Sequence, residues 1–305
     1  MSDRPKITVV TPSYNRRHAV LRAIASVQAQ TADEFEHIVV DDGSTDGTAE
    51  AVRQVGDPRL RLVVLPSRQG ANAARNAGVE AASSPLIGFL DSDDVYLPHR
   101  LRSVLHRFDA DPTLNLLISS FETTRGSKRS RSVNREGFVD GATLESALVM
   151  QVIYIAGSAI TVRRDVLAAA GGFDPEVPRL QDREVLLRLA RRTGAQLSAE
   201  IDWLKHTSTD SISGHPEGYI QAYALLMEKH PQIRAAYGDV VRGTVARHLM
   251  KALSKRRFAE AWHDFRFNRQ ARGLGFSATE LTACLLSTRR DRQMLRERLR
   301  EARPA

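Results

Sequence analysis

The sequence predicts an α/β fold with a doubly wound, mostly parallel sheet between helices and an α-helical C-terminal appendage. Short apolar, β-branched runs alternate with amphipathic helical segments up to about residue 210. Two of these runs end in carboxylates, at the strand ends where such sheets bind ligands. Beyond Pro216 only helical periodicity remains. We therefore expect an α/β domain at residues 1–215, with halves at about 1–98 and 99–215, and a helical region at 216–305.

Each element of the first half follows from its local pattern. Apolar runs rich in β-branched residues predict strands at 6–11, 35–40, 60–65 and 86–90. Apolar positions at helical spacing predict helices at 18–30, about 48–55 and 70–82.

The second half is less regular. Helices are predicted at 97–108 and 141–150, together with one that begins at 181. Strands are predicted at 114–121, within 153–162 and, as an edge strand, at 196–204. Residues 123–135 are polar and basic with Gly and Ser, which favours a flexible loop.

Composition limits the classes of protein. The single cysteine, Cys284, rules out an internal disulfide and a cysteine-based zinc site. The N-terminus lacks the pattern of a signal peptide, and the uncharged stretch 146–162 is short and polar for a membrane span. We expect a cytoplasmic protein. The basic tail has no interleaved aromatic residues for stacking on bases beyond Phe258, Trp262, Phe265 and Phe267, so no nucleic acid is expected as a partner, and binding by the tail stays an alternative.

Carboxylates cluster at the end of the strand predicted at 86–90. Asp91, Asp93 and Asp94 fall within four residues, and like charges held this close repel one another. A divalent cation such as Mg²⁺ or Mn²⁺ relieves that repulsion, and it commonly joins one or two carboxylates to substrate phosphates. The strand at 35–40 also ends in acidic residues, Asp41 and Asp42. In a parallel sheet the two ends lie on the same edge.

Seven short motifs, in this order, resemble those of the family 2 glycosyltransferases, and they cover roughly residues 5 to 210. In one-letter code they read VTPSYN (10–15), SVQAQT (26–31), VDDGSTD (40–46), ARNAG (74–78), FLDSDD (89–94), GGFD (171–174) and QDRE (181–184).

The resemblance implies a Rossmann-like GT-A fold, with a nucleotide-sugar half followed by an acceptor half. It implies an inverting enzyme of the glycosyltransferase class (EC 2.4 type), which uses a nucleotide-sugar donor. A UDP-sugar is the expected donor, because Asp42 matches the residue that binds uracil in uridine-using relatives. A saccharide or lipid-linked acceptor, as in polysaccharide or glycolipid synthesis, would accept the sugar. The implied donor-binding residues are Thr11, Pro12, Tyr14, Asn15, Asp42, Arg75, Asp91 and Asp93.

The resemblance also implies the metal ligands and the catalytic base. Asp94 is the expected direct ligand of a divalent cation, with Asp93 as a metal or ribose contact and His206 as a further candidate. Asp182 matches the general base that takes the acceptor hydroxyl proton. The family typically has Glu-Asp at this motif, whereas this chain has Gln181 before the Asp, which removes one like charge beside the base.

Two other classes of protein compete with this interpretation. A nucleotidyltransferase that makes sugar nucleotides would need a Gly-rich triphosphate loop, but residues 11–17 contain no glycine. A non-catalytic phosphate-binding module would account for Asp41 and Asp42 but not for Asp182. Dinucleotide binding is disfavoured, since no Gly-x-Gly-x-x-Gly follows the first strand.

The tail carries the positive charge of the protein. Residues 231–305 hold 17 Lys and Arg against 7 Asp and Glu, a net charge of +10, whereas the rest of the chain sums to −2. The apolar residues Val241, Val245, Leu249 and Ala252 recur at helical spacing, as do Phe258, Ala261, Trp262 and Phe265. The pattern predicts peripheral docking on an anionic membrane at its inner face. The alternative is an appendage that packs on its own catalytic domain or on a second subunit of a homo-oligomer.

Overall fold

The computed structural model describes residues 5–206, 218–259, 262, 289–297 and 299. They form two compact units. One comprises residues 5–145 and 153–206, and the other comprises residues 146–152 with the described residues from 218 onward. The first is a sheet with flanking helices and the second is helical, so the predicted fold class is confirmed. The predicted boundary at residue 215 lies outside the described residues.

The first unit is built on one sheet with a helix between most successive strands. Its strands are β1 (Ile7–Ser13), β2 (Phe35–Asp41), β3 (Leu60–Val64), β4 (Leu86–Phe89), β5 (Val95–Tyr96), β6 (Leu116–Arg125), β7 (Lys128–Ser132), β8 (Gly137–Val139), β9 (Ile160–Arg163) and β10 (Ala195–His206). Its helices are α1 (Arg17–Gln28), α2 (Thr48–Arg53), α3 (Ala71–Ala81), α4 (Arg100–Ala110), α5 (Gly141–Met150, shared with the second unit), α6 (Arg164–Ala169) and α7 (Gln181–Ala190).

The sheet has a parallel half and a mixed half. Its strand order is β3-β2-β1-β4-β9-β6-β10-β5, with β7 paired to β6 and β8 paired to β10. The first four strands are parallel, and every residue of β1, β2 and β4 is buried, as expected of strands covered by helices on both faces. Strand β9 is antiparallel to both neighbours, while β10 runs parallel to β6. The sheet is therefore mixed, and the carboxyl ends of β2 and β4 share one edge with β1 between them.

Two local predictions were wrong in the second half. Residues 123–135 do not form a loop throughout, because β6 continues to Arg125 and pairs with β7 in a hairpin. Arg129 and Arg131 of β7 lie 3.3 and 3.2 Å from the carboxylate of Glu122 on β6. Backbone pairing and cross-strand ion pairs stabilise this hairpin. It needs no apolar residues for that, which is why the sequence shows no strand pattern here. The strand predicted at an edge, β10, instead lies between β6 and the strands β5 and β8.

The second unit contains α8 (Tyr219–Lys229) and α9 (Pro231–Ser254). The predicted apolar stripe of α9 is buried in it, with Val245 and Leu249 packed against Ile220 and Tyr219 of α8. That stripe therefore packs against α8 within the second unit. Packing on the catalytic domain or on a second subunit, and docking on a membrane, stay predictions. The other predicted stripe includes Ala261 and Phe265, which lie outside the described residues. Across the described part of the chain, no helix combines the length and the apolar character needed to cross a bilayer.

Candidate active site

Helix α3 joins the two acidic strand ends. At the end of β2, the Asp42 carboxylate accepts hydrogen bonds from the backbone N–H groups of Gln69 (2.6 Å) and Gly70 (2.8 Å), just before α3 begins. Within α3, Nη2 of Arg75 donates to Oδ1 of Asp91, which follows β4, at 2.7 Å. One short helix thus fixes the position of both clusters on the sheet edge.

Arg75 is buried but charged. Its side chain is 3% exposed. Burial by itself lowers the pKa of Arg75, but the charges of Asp91 and Asp182 outweigh this and raise it. Conversely, burial raises the pKa of Asp91, but the charges of Arg75 and then Lys205 lower the pKa by a larger amount, so the net shift is downward. Arg75 and Asp91 therefore form a fixed ion pair inside the site.

The other two carboxylates of the cluster hold their protons more tightly. Asp94 is 1% exposed; its Oδ2 accepts from the hydroxyl of Ser158 (2.6 Å) and its Oδ1 from the backbone N–H of His206 (3.2 Å). Burial raises the pKa of Asp94 well above its usual range, and neighbouring carboxylates add to the shift. Burial and the charge of Asp91 also raise the pKa of Asp93. A cation bound here would stabilise the ionised form of both.

The short 3₁₀ turn Gly157–Ala159 contacts the cluster from the other side. The Ser158 hydroxyl accepts the backbone N–H of Asp91 (3.0 Å) while it donates to Asp94, so one buried oxygen sets both ends of the acidic loop. A Cβ at Gly157 would lie 3.2 Å from Oδ1 of Asp91 and 3.3 Å from Oδ1 of Asp182. The lack of a side chain at Gly157 thus leaves room for the two carboxylates to approach each other.

Asp182, the second residue of α7, belongs to the same site. Its Oδ1 atom is buried and has no well-formed hydrogen bond from the residues that the structure describes, although the nearby backbone N–H of Gly157 lowers the pKa of this carboxyl group. Burial raises the pKa of Asp182; Arg75 opposes the shift and Asp91 adds to it. A buried carboxylate oxygen of this kind is able to accept a hydrogen bond from a substrate hydroxyl.

The end of β10 completes the cluster with Lys205 and His206. Leu204 pairs with Val95 in the antiparallel β10–β5 ladder, which places Lys205 level with Asp94. Nδ1 of His206 shares a hydrogen bond of 2.9 Å with the Thr124 hydroxyl, so Nε2 is the ring nitrogen left for a ligand. Burial and then the charge of Arg22 lower the pKa of His206, which favours the neutral imidazole that metals require.

The predicted donor-binding residues on β1 and just after it differ in how far they are exposed. Thr11 and Pro12 are buried, and the Thr11 hydroxyl lies 2.9 Å from Nε2 of His37, so only the backbone of these two residues could face a nucleotide. Asn15 is exposed and holds the loop after β2 through the N–H of Thr45 (2.8 Å). Tyr14 is half-buried, and the Arg68 guanidinium lies 4.3 Å from the centre of its ring. Their roles toward a nucleotide remain predictions.

The donor set fits a divalent cation bound together with phosphates. Asp93 and Asp94 supply carboxylate oxygens at the end of β4; burial raises the pKa of each, neighbouring carboxylates add to the shift, and a bound cation would favour the ionised forms. His206 adds a neutral imidazole. Among the described residues, no group of three or more His, Cys, Asp or Glu side chains has the geometry of a complete metal site. The arrangement therefore suits a cation held by one or two carboxylates, with substrate phosphates as its remaining ligands.

Sequence reasoning missed three residues of the site. Lys205 precedes the predicted ligand His206, and a basic residue at the end of an apolar strand was the available signal. Ser158 and Gly157 lie inside the uncharged stretch 146–162 and carry no signal of their own, since Gly and Ser are common in such segments. Only the crossing of the 3₁₀ turn over the end of β4 gives them a role.

Comparison with known proteins finds a matching family model and several relatives. A family model described as glycosyl transferase family 2 matches residues 8–170, more than half of the chain. The succinoglycan biosynthesis protein ExoO of Rhizobium meliloti is 44% identical over 106 residues, which is 35% of this chain and 30% of that protein. The UDP-Glc:alpha-D-GlcNAc-diphosphoundecaprenol beta-1,3-glucosyltransferase WfgD of Escherichia coli is 38% identical over 95 residues, 31% of this chain and 38% of that one.

Likeness in sequence is partial, while likeness in fold extends over nearly the whole chain. The matched segments span 30–41% of the length of four such relatives. The crystal structure of S. aureus TarS 1–349 in complex with UDP-GlcNAc superposes with a TM-score of 0.69 at 18% identity. That match covers 97% of this chain and 92% of the other. At this identity the likeness establishes the shared fold.

Proposed function

Because the chain belongs to glycosyl transferase family 2, we propose that it is an inverting glycosyltransferase that moves a sugar from a UDP-sugar to an acceptor hydroxyl. Two relatives support the choice of donor. The name of WfgD gives UDP-Glc as its donor, and TarS was crystallised with UDP-GlcNAc. The name of ExoO places it in succinoglycan biosynthesis, which supports a role in polysaccharide or glycolipid assembly.

One observation carries this proposal: the base candidate and the acidic cluster, far apart in the sequence, meet at Gly157. Oδ1 of Asp91 and Oδ1 of Asp182 both lie within 3.3 Å of the position that a Cβ of Gly157 would take. Arg75 interacts with both carboxylates. Displacement at a sugar carbon needs a group that binds the diphosphate and a group that accepts the hydroxyl proton, held within the length of one substrate. The acidic cluster and the base candidate would fill these two roles.

Asp182 acts as the general base. The acceptor hydroxyl donates a hydrogen bond to Oδ1, and its oxygen attacks the anomeric carbon on the face opposite the diphosphate. As the new glycosidic bond forms, the bond from the anomeric carbon to the phosphate oxygen breaks. The hydroxyl proton passes to Asp182, and the nucleoside diphosphate leaves. A raised pKa makes this carboxylate a stronger proton acceptor than an exposed aspartate.

Asp93 and Asp94, with His206 as a further ligand, would hold a divalent cation, Mn²⁺ or Mg²⁺. When bound, such a cation supplies Lewis-acid stabilisation of the charge on the departing diphosphate. Asp94 is buried and both of its oxygens already accept hydrogen bonds, whereas Asp93 is half-buried. Asp93 therefore offers the more accessible oxygen, and Asp94 supports the site from behind.

The donor nucleotide would lie along the carboxyl edge of β1 and β2. Tyr14 offers a ring face for the base. Asp42 would accept a further hydrogen bond from the uracil N–H, beside those from the backbone N–H groups of Gln69 and Gly70. The backbone at Thr11 and Pro12, the exposed side chain of Asn15 and the ion pair of Arg75 and Asp91 would complete the pocket.

The acceptor is proposed to be a saccharide, lipid-linked as in the name of WfgD. An exposed surface of the second unit suits a lipid environment. At the end of α9, Met250 and Leu253 are 51% and 49% exposed, and Phe258 beyond the helix is 63% exposed. Exposed Lys251, Lys255 and Arg256 are interspersed with them. These six residues, the α9 basic-apolar patch, are proposed to touch an anionic membrane surface. They replace the first predicted stripe, which is buried, while Phe258 belongs to the second predicted stripe.

A donor screen with a binding control tests the proposal. The protein is incubated with Mn²⁺, a lipid-linked saccharide and a panel of sugar nucleotides, and release of nucleoside diphosphate is followed. Calorimetry with UDP, in Mn²⁺ and in EDTA, is run alongside. We expect UDP to bind more tightly with Mn²⁺, and UDP-sugars to give turnover. Equal affinity in both conditions would remove the metal assignment, and turnover limited to other nucleotides would remove the UDP assignment.

A further inference from the structure

Lys205 is a cation of the acidic cluster that no motif assigns. It lies near the carboxyl end of β10 and is half-buried. Its position is set by the backbone: the β10–β5 ladder brings it level with Asp94, and the next N–H along the chain, that of His206, bonds to Oδ1 of Asp94. Strand β10 also pairs with β6 at this point, Lys205 opposite Thr123. The lysine is therefore fixed at the cluster by two neighbouring strands.

The ammonium group lies in the field of four carboxylates. The carboxylates of Asp94, Asp91, Asp182 and Asp93 all act on the Lys205 ammonium, which is protonated at neutral pH as a lysine ordinarily is. Within the described part of the chain, no carboxylate forms an ion pair with Lys205 at 4.0 Å or less. Arg75, in contrast, is bonded directly to one of them. Lys205 is thus charged and close to the carboxylates, while its three donors are not committed to any of them.

The charge balance of the site is compatible with binding both a metal ion and a phosphate group. The four carboxylates outnumber Arg16, Arg75 and Lys205, the three cations that act on them, so the ionised cluster keeps a net negative charge that a divalent cation offsets. The diphosphate then brings new negative charge to the same place. A lysine ammonium is a compact point charge with rotatable donors, and it binds phosphate in that form.

We propose that Lys205 binds the diphosphate of the donor and stabilises the negative charge that develops on it as the nucleoside diphosphate leaves. This inference rests on the proposed function. It implies effects of opposite sign on the two ligands of the site. Lys205 repels a divalent cation in the nucleotide-free protein, because both are positive, and it attracts the diphosphate.

Two substitutions of Lys205 and one matched control test this. Lys205→Met removes the charge, and Lys205→Arg retains it. Lys128→Met removes a lysine from exposed strand β7, outside the cluster. For each protein, Mn²⁺ binding without nucleotide, UDP binding in EDTA and the kcat of transfer are measured, with melting curves to verify folding. If Lys205→Met does not fold, Lys205→Gln takes its place.

We expect Lys205→Met to weaken UDP binding in EDTA by about 10- to 100-fold and to strengthen Mn²⁺ binding by about 2- to 10-fold. Its kcat should fall by about 10²-fold. Lys205→Arg should retain most of the UDP affinity, and Lys128→Met should match the wild type. If Lys205 had a merely structural role, its loss would weaken UDP binding and Mn²⁺ binding together, and that result would overturn the inference. Unchanged UDP affinity in Lys205→Met, with normal binding by the wild type, would also overturn it. No UDP binding by the wild type would instead refute the proposed function.

Discussion

Ser158→Ala is the substitution whose effect the structure defines most closely. The Ser158 side chain is fully buried, and its oxygen makes two hydrogen bonds, one accepted from the N–H of Asp91 (3.0 Å) and one donated to Oδ2 of Asp94 (2.6 Å). Alanine fits the same space without either bond. The change therefore removes a hydroxyl from the acidic loop and leaves the surrounding packing in place.

The expected cost follows from the type of each bond. A hydrogen bond between neutral groups contributes about 1 kcal/mol to the free energy of unfolding, and one to a charged group about 1.5–3 kcal/mol. Ser158→Ala should thus lower the free energy of unfolding by about 2–4 kcal/mol. Loss of the donated bond also raises the pKa of Asp94 further, because that bond favours the ionised carboxylate. Since a metal needs the ionised form, the Mn²⁺ concentration for half-maximal UDP binding should rise, and it should rise more at acidic pH.

Ser120→Ala is the matched control. Ser120 is also fully buried; its oxygen accepts the N–H of Asn134 (2.8 Å) and donates to the backbone oxygen of Ser198 (2.6 Å), away from the acidic cluster. Urea denaturation gives the stability of both variants, and calorimetry at several Mn²⁺ concentrations gives the metal dependence. Both variants should be less stable, and only Ser158→Ala should need more Mn²⁺. A wild-type Mn²⁺ midpoint in Ser158→Ala, or an equal shift in Ser120→Ala, would refute the reasoning.

Three further predictions concern catalysis, acid stability and membrane contact. Asp182→Asn should reduce transfer by about 10²–10⁴-fold and spare UDP binding, and wild-type activity should rise with pH through the raised pKa of Asp182, because only the ionised base accepts a proton. Near-normal transfer by a folded Asp182→Asn protein would place the base elsewhere. Burial lowers the pKa of His37 from 6.5 to about 3, so the stability that its neutral form contributes above pH 6.5 should be lost as pH falls toward 3, by up to about 5 kcal/mol. Urea titrations of wild type and His37→Gln should differ in slope across that window, and parallel slopes would contradict the assignment. The triple substitution of Met250, Leu253 and Phe258 by serine should weaken sedimentation with anionic vesicles, and binding by the wild type should fall with added salt; a wild-type protein that ignores such vesicles at low salt would end the membrane proposal.

Features that depend only on neighbouring residues could be predicted from the sequence. The fully buried runs of β1 and β4 show as apolar, β-branched segments, since a strand covered on both faces must be apolar throughout. The motif around Asp91 and Asp94 likewise marks a strand end by itself. Where local pattern was silent, prediction failed: β7 has exposed, charged residues and is held by pairing with β6, so nothing in its composition distinguishes it from a loop.

The amino-acid sequence by itself thus determined the α/β fold, the family and the residues of the acidic cluster, because hydrophobic periodicity and short motifs are properties of neighbouring positions. Which residues share the site was decided by tertiary structure alone. Ser158 donates a hydrogen bond to Asp94 from one distant segment, β10 places Lys205 level with Asp94 from another, and Gly157 allows Asp91 and Asp182 to approach. The order of strands across the sheet and the registers of β9 and β10 place them there, and these depend on pairing between distant segments that no local pattern encodes.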